Sequence, residues 1–409
     1  MNILLIDQPL WNRGDESAHK GLIRNLIKAI SNVHIKVLEI DVEQAAVDEF
    51  DMKLPQVEFI NIHSLNKVWF NRFLGNAYKY RLSWILAFLP TMRKIRRLYK
   101  EADYVIMAPG GIDLGGFQNW RHLTLLLLAC QLKKPLAYYG RSIGPFPIGN
   151  WKQRRFKNLA KYALKYCNYI CLRDKQSIKV AEELRISYKS TVDSAFLDST
   201  DVLIPSDIRR RIGNNPYIVF VPNELIWHYA YRNKISASII NGFYNHLLEI
   251  IQKYYPDYRV VMLPQINNQV RNDYVYFCEL REKASNRESI VIISDNYSSD
   301  IQQAIIKHAK LMIGARYHSI VFAINQGIPF ISLSYEHKMS GLLEELDETD
   351  RMIDITNIFD NQFAIDDAID KFKTLVVKLK ESTEARKKAK DIARRCFKQF
   401  LSSLGYSDS

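Results

Sequence analysis

Short, almost uniformly apolar runs recur along the chain, and each is followed by a longer amphipathic stretch. In the first half these runs are NILLID, HIKVLEID, VEFINIH, DYVIMAPGG, PLAYYGRSIG and NYICLRD. An apolar run without polar alternation is typical of a parallel strand that is buried on both faces. Parallel strands must be joined by crossovers, so the pattern predicts a parallel sheet that is covered by helices.

A second series of the same kind begins after the polar stretch PSDIRRRIGNNP. Its apolar runs are YIVFVP, YRVVMLPQ, SIVIIS, LMIGAR and PFISLSY, and the chain turns helical after Asp360. The sequence therefore predicts an α/β protein of two doubly wound, Rossmann-like domains. We place the first domain at 1–204, a linker at 205–216, the second domain at 217–380 and a basic C-terminal helix at 381–409. In such sheets ligands bind beyond the carboxyl ends of the strands.

Cysteine usage and apolar run length indicate the compartment. The five cysteines are scattered and no CxxC occurs, which argues against a disulfide framework and a structural zinc site. The runs WILAFLP and LTLLLLAC are too short to span a bilayer, and MNILLID lacks the features of a signal peptide. We therefore expect a cytoplasmic protein.

The formal net charge of +13 predicts an anionic partner. Residues 59–100 contain no Asp or Glu but nine Lys and Arg, interleaved with Trp69, Phe70, Trp84 and Phe88. Segment 66–100 has two interpretations: an interfacial segment on an anionic membrane, or a partly buried helical hairpin with a solvated basic face. Nucleic acid is disfavoured as a partner because no recognised binding motif accompanies the charge.

The loop after the first apolar run, WNRGDESAHKG, carries a carboxylate pair. Gly14 permits a tight turn, and we expect Asp15 to cap a helix that begins near Glu16. The structural interpretation is a capped turn. The functional interpretation is that Asp15 or Glu16 acts as a base toward a hydroxyl group, since a helix N-terminus favours ionised carboxylates.

Glycines and arginines follow three further strands. APGGIDLGG is predicted to be a loop whose backbone can approach a ligand closely, but its spacing is not GxGxxG, so dinucleotide binding is disfavoured. Arg141 in GRSIGPF is predicted to lie in a glycine-flanked loop suited to anion contact. In LRDKQS, Arg173 and Asp174 are interpreted as a structural pair beside a helix start.

The stretch GARYHSIVFAINQGIPFISLSYEHK predicts an anion site. Arg316 and His318 fall at a strand-to-helix switch, where the helix dipole and free backbone N–H groups favour an anion. A guanidinium adds a bidentate grip, and His318 beside a bound anion is a candidate general acid. Gly327 is predicted to cap the helix, and Lys338 to add positive charge from the next strand end.

Taken together, these pieces resemble the polysaccharide pyruvyltransferases from about Asn2 to about Leu346. The matching stretches are NRGDESA, APGG, GRSIGPF, LRDKQS, VDSAF and the stretch that starts at Gly314. The resemblance implies a GT-B-like fold and transfer of a pyruvyl group from phosphoenolpyruvate to two hydroxyls of one sugar, with no metal or organic cofactor required. It also associates Arg316, Tyr317 and His318 with the phosphoenolpyruvate site.

The chain departs from the family pattern at two places. Many members have an Arg soon after the first strand of the second domain, where this chain has Pro222 and Asn223. Many also have Gln where this chain has Arg141. We interpret the change as a relocated anion contact, and a different donor geometry is the alternative.

The resulting hypothesis assigns the second domain to the donor and the first to the acceptor. Arg316, Tyr317, His318, Lys338 and Arg141 are predicted to bind the donor, with His318 as the general acid and Asp15 or Glu16 handling hydroxyl protons. Predicted acceptor contacts are Asn12, Asp15, Gly110, Gly111 and Asp113. The sequence leaves open whether the acceptor is lipid-linked or a soluble nucleotide sugar.

Two other functions compete with this hypothesis. The first is a nucleotide-sugar glycosyltransferase of the same architecture, because Glu336 and Glu344 resemble the glutamate pair of some such enzymes. The second is a non-catalytic binding protein, which is disfavoured because Arg316 and His318 are both present.

Overall fold

The structure is a computed structural model that describes residues 1–8, 10, 12–50, 52–64, 67–198, 201–228, 231, 234–266, 272–293 and 297–406. The chain divides into two compact units. The first comprises Met1–Leu10, Asp15–Asp198 and Asp391–Ser409, and the second comprises Trp11–Gly14 and Ser199–Lys390. Each unit contains one parallel sheet with helices, which confirms the predicted fold class.

The first unit is built around a sheet flanked by helices. Its strands are β1 (Asn2–Ile6), β2 (His34–Ile40), β3 (Val57–Ile62), β4 (Tyr104–Met107), β5 (Gly110–Leu114), β6 (Leu136–Ile143), β7 (Tyr169–Leu172) and β8 (Lys189–Ser190). Its helices are α1 (Arg13–Ala29), α2 (Gln44–Phe50), α3 (Lys67–Lys79), α4 (Pro90–Glu101), α5 (Trp120–Gln131), α6 (Trp151–Tyr166) and α7 (Lys175–Leu184). The strands pair in the order β3-β2-β1-β4-β6-β7-β8, β5 pairs with β6, and the pairings are parallel.

Both faces of this sheet are covered, which explains the uniformly apolar strands. In β1, Ile3 and Leu5 belong to one apolar cluster, whereas Leu4 and Ile6 belong to another. The first cluster includes residues of α1 and the C-terminal helix, and the second includes residues of α3 to α7. Because side chains alternate across a strand, a strand that faces two helical layers must be apolar at successive positions.

The second unit repeats this plan. Its strands are β9 (Tyr217–Val221), β10 (Arg259–Met262), β11 (Ile290–Ile292), β12 (Met312–Gly314), β13 (Phe330–Ser334) and β14 (Met352–Asp354). Its helices are α8 (Ser206–Ile212), α9 (Ala237–Tyr254), α10 (Asp273–Lys283), α11 (Ser299–Lys307), α12 (Tyr317–Gln326), α13 (His337–Glu345) and α14 (Gln362–Val377). The strands pair in parallel in the order β11-β10-β9-β12-β13-β14.

Some elements differ from the sequence prediction. Gly110–Leu114, predicted to be a glycine-rich loop, forms β5 and pairs irregularly with β6. The short strands β8 and β14 were not predicted, because two or three residues give no periodic signal. Residues 206–212, inside the predicted linker, form helix α8 of the second unit, which buries Ile208 and Ile212.

The basic C-terminal helix is α15 (Thr383–Ser403), and its last part groups with the first unit from Asp391 onward. The sequence placed it outside both domains. Phe400 is fully buried there, with ring contacts to Tyr104, Tyr139 and Tyr169 at centroid distances of 6.1, 5.0 and 5.2 Å. A chain segment more than two hundred residues away in sequence therefore completes the core of the first unit.

The basic-aromatic segment is helical and partly buried, as one of the two interpretations predicted. It folds as α3, a 3₁₀ turn at Ser83–Phe88 and α4. Phe70 is buried in the core, whereas Trp69, Trp84 and Phe88 are exposed. Within the described part of the chain, no helix is both long enough and apolar enough to cross a membrane.

Replacing Phe400 with alanine should destabilise the first unit. The change removes a fully buried aromatic ring and leaves a cavity, which typically costs about 3–5 kcal/mol. Urea denaturation measures the free energy of unfolding. The matched control is Phe363→Ala, because Phe363 is 86% exposed and its loss should change that free energy by less than about 0.5 kcal/mol. Equal unfolding free energies for the two variants would contradict the buried position of α15.

Candidate active site

Arg316, Tyr317 and His318, named here the Arg316 turn, join strand β12 to helix α12 in the second unit. Arg316 is the N-cap residue, with extended backbone, and the helix begins at Tyr317. Gly327 ends the helix with a φ of 77°, as predicted, because glycine adopts this left-handed conformation without strain. The turn therefore lies at the carboxyl end of a central strand of the sheet, where the sequence placed it.

The guanidinium of Arg316 is buried and held by two neighbours. It forms an ion pair with Asp273, the first residue of α10, and its Cζ lies 5.9 Å from the centroid of the Trp227 ring. The other carboxylate oxygen of Asp273 accepts hydrogen bonds from the backbone N–H groups of Gln265 and Ile266, each at 3.0 Å. The Arg316 side chain is thus fixed in orientation.

One hydrogen-bond donor of this guanidinium is not satisfied within the described residues. The Nε atom of Arg316 is buried and has no hydrogen-bond partner there. Leaving a buried donor unpaired typically costs about 1–3 kcal/mol, and more for a charged group. A preorganised arginine with an unused N–H beside a helix N-terminus is suited to an anionic ligand.

His318 packs against the backbone at Gly14. An ideal Cβ built on Gly14 would lie 1.9 Å from both Cγ and Nδ1 of the His318 ring, so no side chain fits at Gly14 without moving the ring. The ring also contacts Tyr317 edge-on, at a centroid distance of 5.0 Å. Gly14 of the motif NRGDESA therefore positions His318, a role that differs from the simple tight turn expected from the sequence.

The side chain of Asn12, and not that of Asp15, accepts a hydrogen bond from the backbone of the first turn of α1. The helix begins at Arg13, and the Oδ1 atom of Asn12 accepts a hydrogen bond from the backbone N–H of Gly14 at 2.8 Å. The prediction that Asp15 caps a helix starting near Glu16 is therefore wrong. Asn12 also forms an isolated antiparallel bridge with Ile266, next to the backbone that binds Asp273.

Lys338 brings less free positive charge than the sequence suggested. It lies in the first turn of α13, and its Nζ is 3.6 Å from a carboxylate oxygen of Glu336, the N-cap residue of that helix. The two charges offset each other. Glu344, the other glutamate of the glycosyltransferase hypothesis, is exposed near the end of α13.

Arg141 lies within strand β6 of the first unit and not in a loop, so this part of the sequence interpretation is wrong. Its side chain is 1% exposed. It donates hydrogen bonds to the carbonyl of Ala108 at 2.7 Å, the carbonyl of Asp7 at 3.2 Å and the carboxylate of Asp113 at 2.5 Å. Most of its donors are therefore committed within the protein.

Gly110 makes room for this arrangement. An ideal Cβ on Gly110 would lie 3.2 Å from Cζ of Arg141, closer than most real contacts allow. The second carboxylate oxygen of Asp113 accepts a hydrogen bond from Asn119 Nδ2 at 2.7 Å. Gly111, in contrast, has open space where a side chain would be. The structure thus brings together the predicted residues Gly110, Asp113 and Arg141.

The sequence analysis missed two members of this group, Asp7 and His122. Asp7 directly follows β1 and has a φ of 58°, which is uncommon for a residue other than glycine. Its carboxylate lies 2.5 Å from Nδ1 of the fully buried His122 and 3.3 Å from the guanidinium of Arg121. An acidic residue immediately after the first strand is the signal that could have identified Asp7.

The charges of this group keep both carboxylates ionised. Burial raises the pKa of Asp7, but the hydrogen bond with His122 and the charges of His122, Arg121 and Arg141 outweigh it, so that pKa lies well below its usual range. Burial also raises the pKa of Asp113, and the charge of Arg141 reverses the shift. Burial lowers the pKa of Arg141, but the charges of Asp113 and Asp7 more than reverse this shift, so that pKa lies above its usual range.

Asp7, Asp113 and His122 are also the described residues that could together hold a metal ion. One potential ligand atom from each lies within 4.8 Å of the others. Arg141, however, already pairs with both carboxylates. A metal ion would have to compete with this guanidinium, so the donor set fits an ion-pair network better than a metal site.

Asp15 and Glu16 are both buried in the first turn of α1. Glu16 forms an ion pair with Lys20 at 2.5 Å, one helical turn later. The carboxylate of Glu16 is thus already committed to an ion pair within the helix. Of the two predicted bases, Asp15 is therefore the better candidate.

The motifs LRDKQS and VDSAF are joined by an ion pair. Arg173 binds the carboxylate of Asp193 and not that of Asp174, its neighbour in sequence. Asp174 instead caps α7, accepting a hydrogen bond from the backbone N–H of Ser177 at 2.8 Å. The expected pairing of Arg173 with Asp174 is wrong because the helix N-terminus competes for that carboxylate.

His19 is a further buried histidine, on α1. Its Nε2 lies 2.6 Å from the carbonyl oxygen of Pro109, so this nitrogen must carry the proton. Burial lowers the pKa of His19 to about 4, although the hydrogen bond to Pro109 opposes this shift. His19 is therefore neutral near pH 7 and links α1 to the APGG motif.

The free energy of unfolding should decrease as the pH falls from 6.5 to about 4. In this window the unfolded chain binds a proton at His19 that the folded chain does not bind, and the loss should reach about 3 kcal/mol. His19→Gln keeps an N–H donor for Pro109 but does not titrate. Urea denaturation at several pH values should show a shallower pH dependence for this variant, and identical dependences would contradict a buried neutral His19.

Gly14→Ala should impair the reaction without unfolding the chain. The added methyl group would displace the His318 ring, and an error of about 1 Å in a reacting group can cost on the order of 10²-fold in rate. The control is Gly242→Ala, on α9 of the same unit, where a methyl group meets nothing within 4 Å. Turnover assays with phosphoenolpyruvate, the donor that the sequence resemblance leads us to expect, should separate the two variants, and equal rates would contradict a role for the position of the ring.

Comparisons with known proteins show what the chain is similar to. The family model described as polysaccharide pyruvyl transferase matches residues 23–337. The amylovoran biosynthesis protein AmsJ of Erwinia amylovora is 23% identical over 398 residues, covering 88% of this chain and 89% of that protein.

Among solved structures, a UDP-GlcNAc 2-epimerase from Neisseria meningitidis bound to UDP-GlcNAc is similar with a TM-score of 0.58, at 12% identity, covering 99% of each chain. An E. coli structure described as trehalose-6-phosphate bound with UDP-2-fluoro glucose gives a TM-score of 0.54, at 10% identity, covering 99% of each chain. These likenesses concern the fold alone and confirm the GT-B-like class. On the family match, the chain belongs to the polysaccharide pyruvyl transferase family.

Proposed function

We propose that the chain transfers a pyruvyl group from phosphoenolpyruvate to two hydroxyls of a sugar in a cell-surface polysaccharide precursor. One observation carries the proposal: the buried guanidinium of Arg316 is fixed by Asp273 and Trp227 and keeps an unused Nε donor, two residues before His318 at a helix N-terminus. Family membership and the likeness to an exopolysaccharide biosynthesis protein support it.

Arg316 and the start of α12 would bind the anionic donor. A carboxylate or phosphate oxygen can accept from Nε of Arg316 and from the first backbone N–H groups of the helix. Tyr317 and Lys338 would complete the donor contacts. Because Glu336 offsets Lys338, we assign the larger part of donor binding to Arg316.

His318 would supply the proton that activates the donor. Protonation of the methylene carbon of phosphoenolpyruvate gives an oxocarbenium-like centre, which the first sugar hydroxyl attacks. The carbon–oxygen bond to phosphate then breaks, and the second hydroxyl closes the ketal. Of the two hydroxyl protons released, one returns to the histidine and the other leaves with phosphate. Asp15, with Glu16 as the alternative, is our candidate base that first takes these protons from the hydroxyl groups, before they pass to the histidine and to phosphate.

We propose a positioning role for Arg141 in place of the donor contact expected from the sequence. Its guanidinium is already bonded to Asp113, to Asp7 and to the carbonyl of Ala108, so binding a donor would require breaking these contacts. Through Asp113 it would orient the acceptor-binding group, which also includes Asn12, Gly110 and Gly111.

The location and acceptor form a further part of the proposal. We propose a cytoplasmic enzyme that associates peripherally with the inner membrane face, where a lipid-linked acceptor is accessible. Exposed Trp84 and Phe88 lie beside α4, whose Arg93, Lys94 and Arg97 are exposed. Each basic side chain near an anionic leaflet contributes about 1 kcal/mol. We expect the reaction to need no metal or organic cofactor.

A nucleotide-sugar glycosyltransferase is the second candidate, favoured by the likeness to folds bound to UDP-sugars. The exposed position of Glu344 and the pairing of Glu336 with Lys338 give this alternative no preformed glutamate pair. A thermal-shift assay with phosphoenolpyruvate and, separately, with UDP-sugars distinguishes the two, because a bound ligand stabilises the folded chain.

Arg316→Ala should weaken phosphoenolpyruvate binding, whereas His318→Gln should preserve it and slow turnover. Losing a charge-assisted contact in a desolvated site costs on the order of 2–5 kcal/mol of binding free energy. Losing a general acid typically costs about 10²–10⁴-fold in rate. Calorimetry measures the change in phosphoenolpyruvate affinity, and a phosphate-release assay measures the change in turnover rate.

Arg287→Ala is the matched control, since Arg287 is exposed in the same unit and pairs with Glu282 at the surface. This variant should bind and turn over phosphoenolpyruvate as the wild type does. Unchanged phosphoenolpyruvate affinity in Arg316→Ala would contradict the assignment of Arg316 to donor binding. Wild-type turnover in His318→Gln would contradict the general-acid role of His318.

A further inference from the structure

A second concentration of positive charge lies in the first unit, between the end of α3 and the start of α6. A cavity of about 360 Å³ is lined there by Lys79, Arg81, Trp151, Arg154, Arg155, Asn158 and Leu159. We call it the cationic pocket. An adjoining cavity of about 430 Å³ shares Lys79 and adds Arg72, Trp120 and Arg121.

The sequence around this pocket carries no acidic residue. Residues 59–100, which include α3 and all of α4 except its last residue, Glu101, contain no Asp or Glu, and neither do residues 114–173, which include α5 and α6. Two acid-free stretches that are separate in sequence thus supply the two sides of one pocket. Arg141 and Arg316 pair with carboxylates, whereas the arginines that line this pocket, Arg81, Arg154 and Arg155, form no ion pair with another described residue.

The basic side chains are crowded enough to affect one another. Burial lowers the pKa of Arg155, and the charge of Arg81 lowers it further. Burial and the charge of Lys152 do the same for Lys79. Like charges held together without carboxylates destabilise the folded chain, and a bound anion would relieve this repulsion.

Local backbone geometry and two hydrogen bonds orient the basic residues that line the pocket. Arg81 has a φ of 63° at the end of α3, a position where glycine is favoured and arginine is strained. Arg155 Nε donates to the carbonyl of Tyr78 at 2.6 Å and so joins α6 to α3. Arg154 donates to the carbonyl of Ile148 at 3.0 Å.

An aromatic ring borders the charges. Trp151 is exposed, and its ring centroid lies 5.8 Å from that of Tyr80. The Nζ atom of Lys152 lies 5.7 Å from the centroid of the Trp151 ring. Exposed tryptophan and tyrosine beside lysine and arginine fit a ligand that has an apolar portion or lies at an interface.

We propose that the cationic pocket binds a phosphate or diphosphate group, carried either by a lipid headgroup or by a soluble ligand. The pocket is lined by the basic side chains of Lys79, Arg81 and Arg154, and a guanidinium binds phosphate oxygens in a bidentate manner. This goes beyond the proposed function, because the pocket lies in the first unit and shares no residue with the Arg316 turn.

Calorimetry with inorganic diphosphate tests the site in the Arg316→Ala chain, which removes the donor site as a competing location. Arg81→Gln combined with Arg154→Gln should weaken binding by about tenfold or more, because two charge-assisted contacts are lost. The matched control is Lys165→Gln combined with Lys179→Gln, which removes the same charge from exposed positions on α6 and α7 outside the pocket and should leave the affinity within about twofold.

Vesicles of phosphatidylcholine with and without phosphatidic acid identify the source of the phosphate. If phosphatidic acid vesicles displace diphosphate, the ligand is a lipid headgroup. If diphosphate binds and the vesicles do not displace it, the ligand is soluble. An absence of binding to both probes, or equal affinities for the pocket and control variants with unchanged thermal stability, would overturn the proposal.

Discussion

The buried ion pair between Arg316 and Asp273 is the interaction on which the proposed site depends. Asp273 begins α10 and accepts hydrogen bonds from the backbone of Gln265 and Ile266, so one carboxylate fixes a helix start, a strand-end segment and the arginine. Removing one partner of a buried pair typically costs about 3–5 kcal/mol, because the other charge stays buried without compensation. The ion pair with Asp273 therefore offsets the cost of burying the Arg316 guanidinium. The Nε atom of Arg316 still lacks a hydrogen-bond partner among the described residues.

The first unit uses the same solution at the carboxyl edge of its own sheet. Arg141 is buried between Asp7 and Asp113, and Gly110 gives it room. Both arginines keep a buried Nε without a hydrogen-bond partner among the described residues, but they differ in how many other groups hold them. Arg141 is bonded to two carboxylates and two carbonyls, which suits a positioning residue, whereas Arg316 pairs with a single carboxylate and stacks near an aromatic ring. This difference is the physical reason for assigning donor binding to the second unit.

The sequence predicted the strands and the Arg316 turn well because both depend on local pattern. Apolar runs predict buried parallel strands directly, and Gly327 predicts the end of α12. Ion-pair partners depend on tertiary contacts instead: Arg316 pairs with a residue 43 positions away, and Arg141 contacts one 134 positions away. Arg173 likewise pairs with Asp193, and not with its sequence neighbour Asp174, because Asp174 caps a helix. The strand β5 was missed because its glycines predict a loop.

The most direct test is a crystal structure of the chain soaked with phosphoenolpyruvate. The account predicts that a carboxylate or phosphate oxygen of the ligand lies within hydrogen-bond distance of the Arg316 guanidinium, at the N-terminus of α12, with the methylene carbon facing the His318 ring. The ion pair between Arg316 and Asp273 should persist. Phosphoenolpyruvate bound elsewhere, with the Arg316 turn empty, would contradict the central claim.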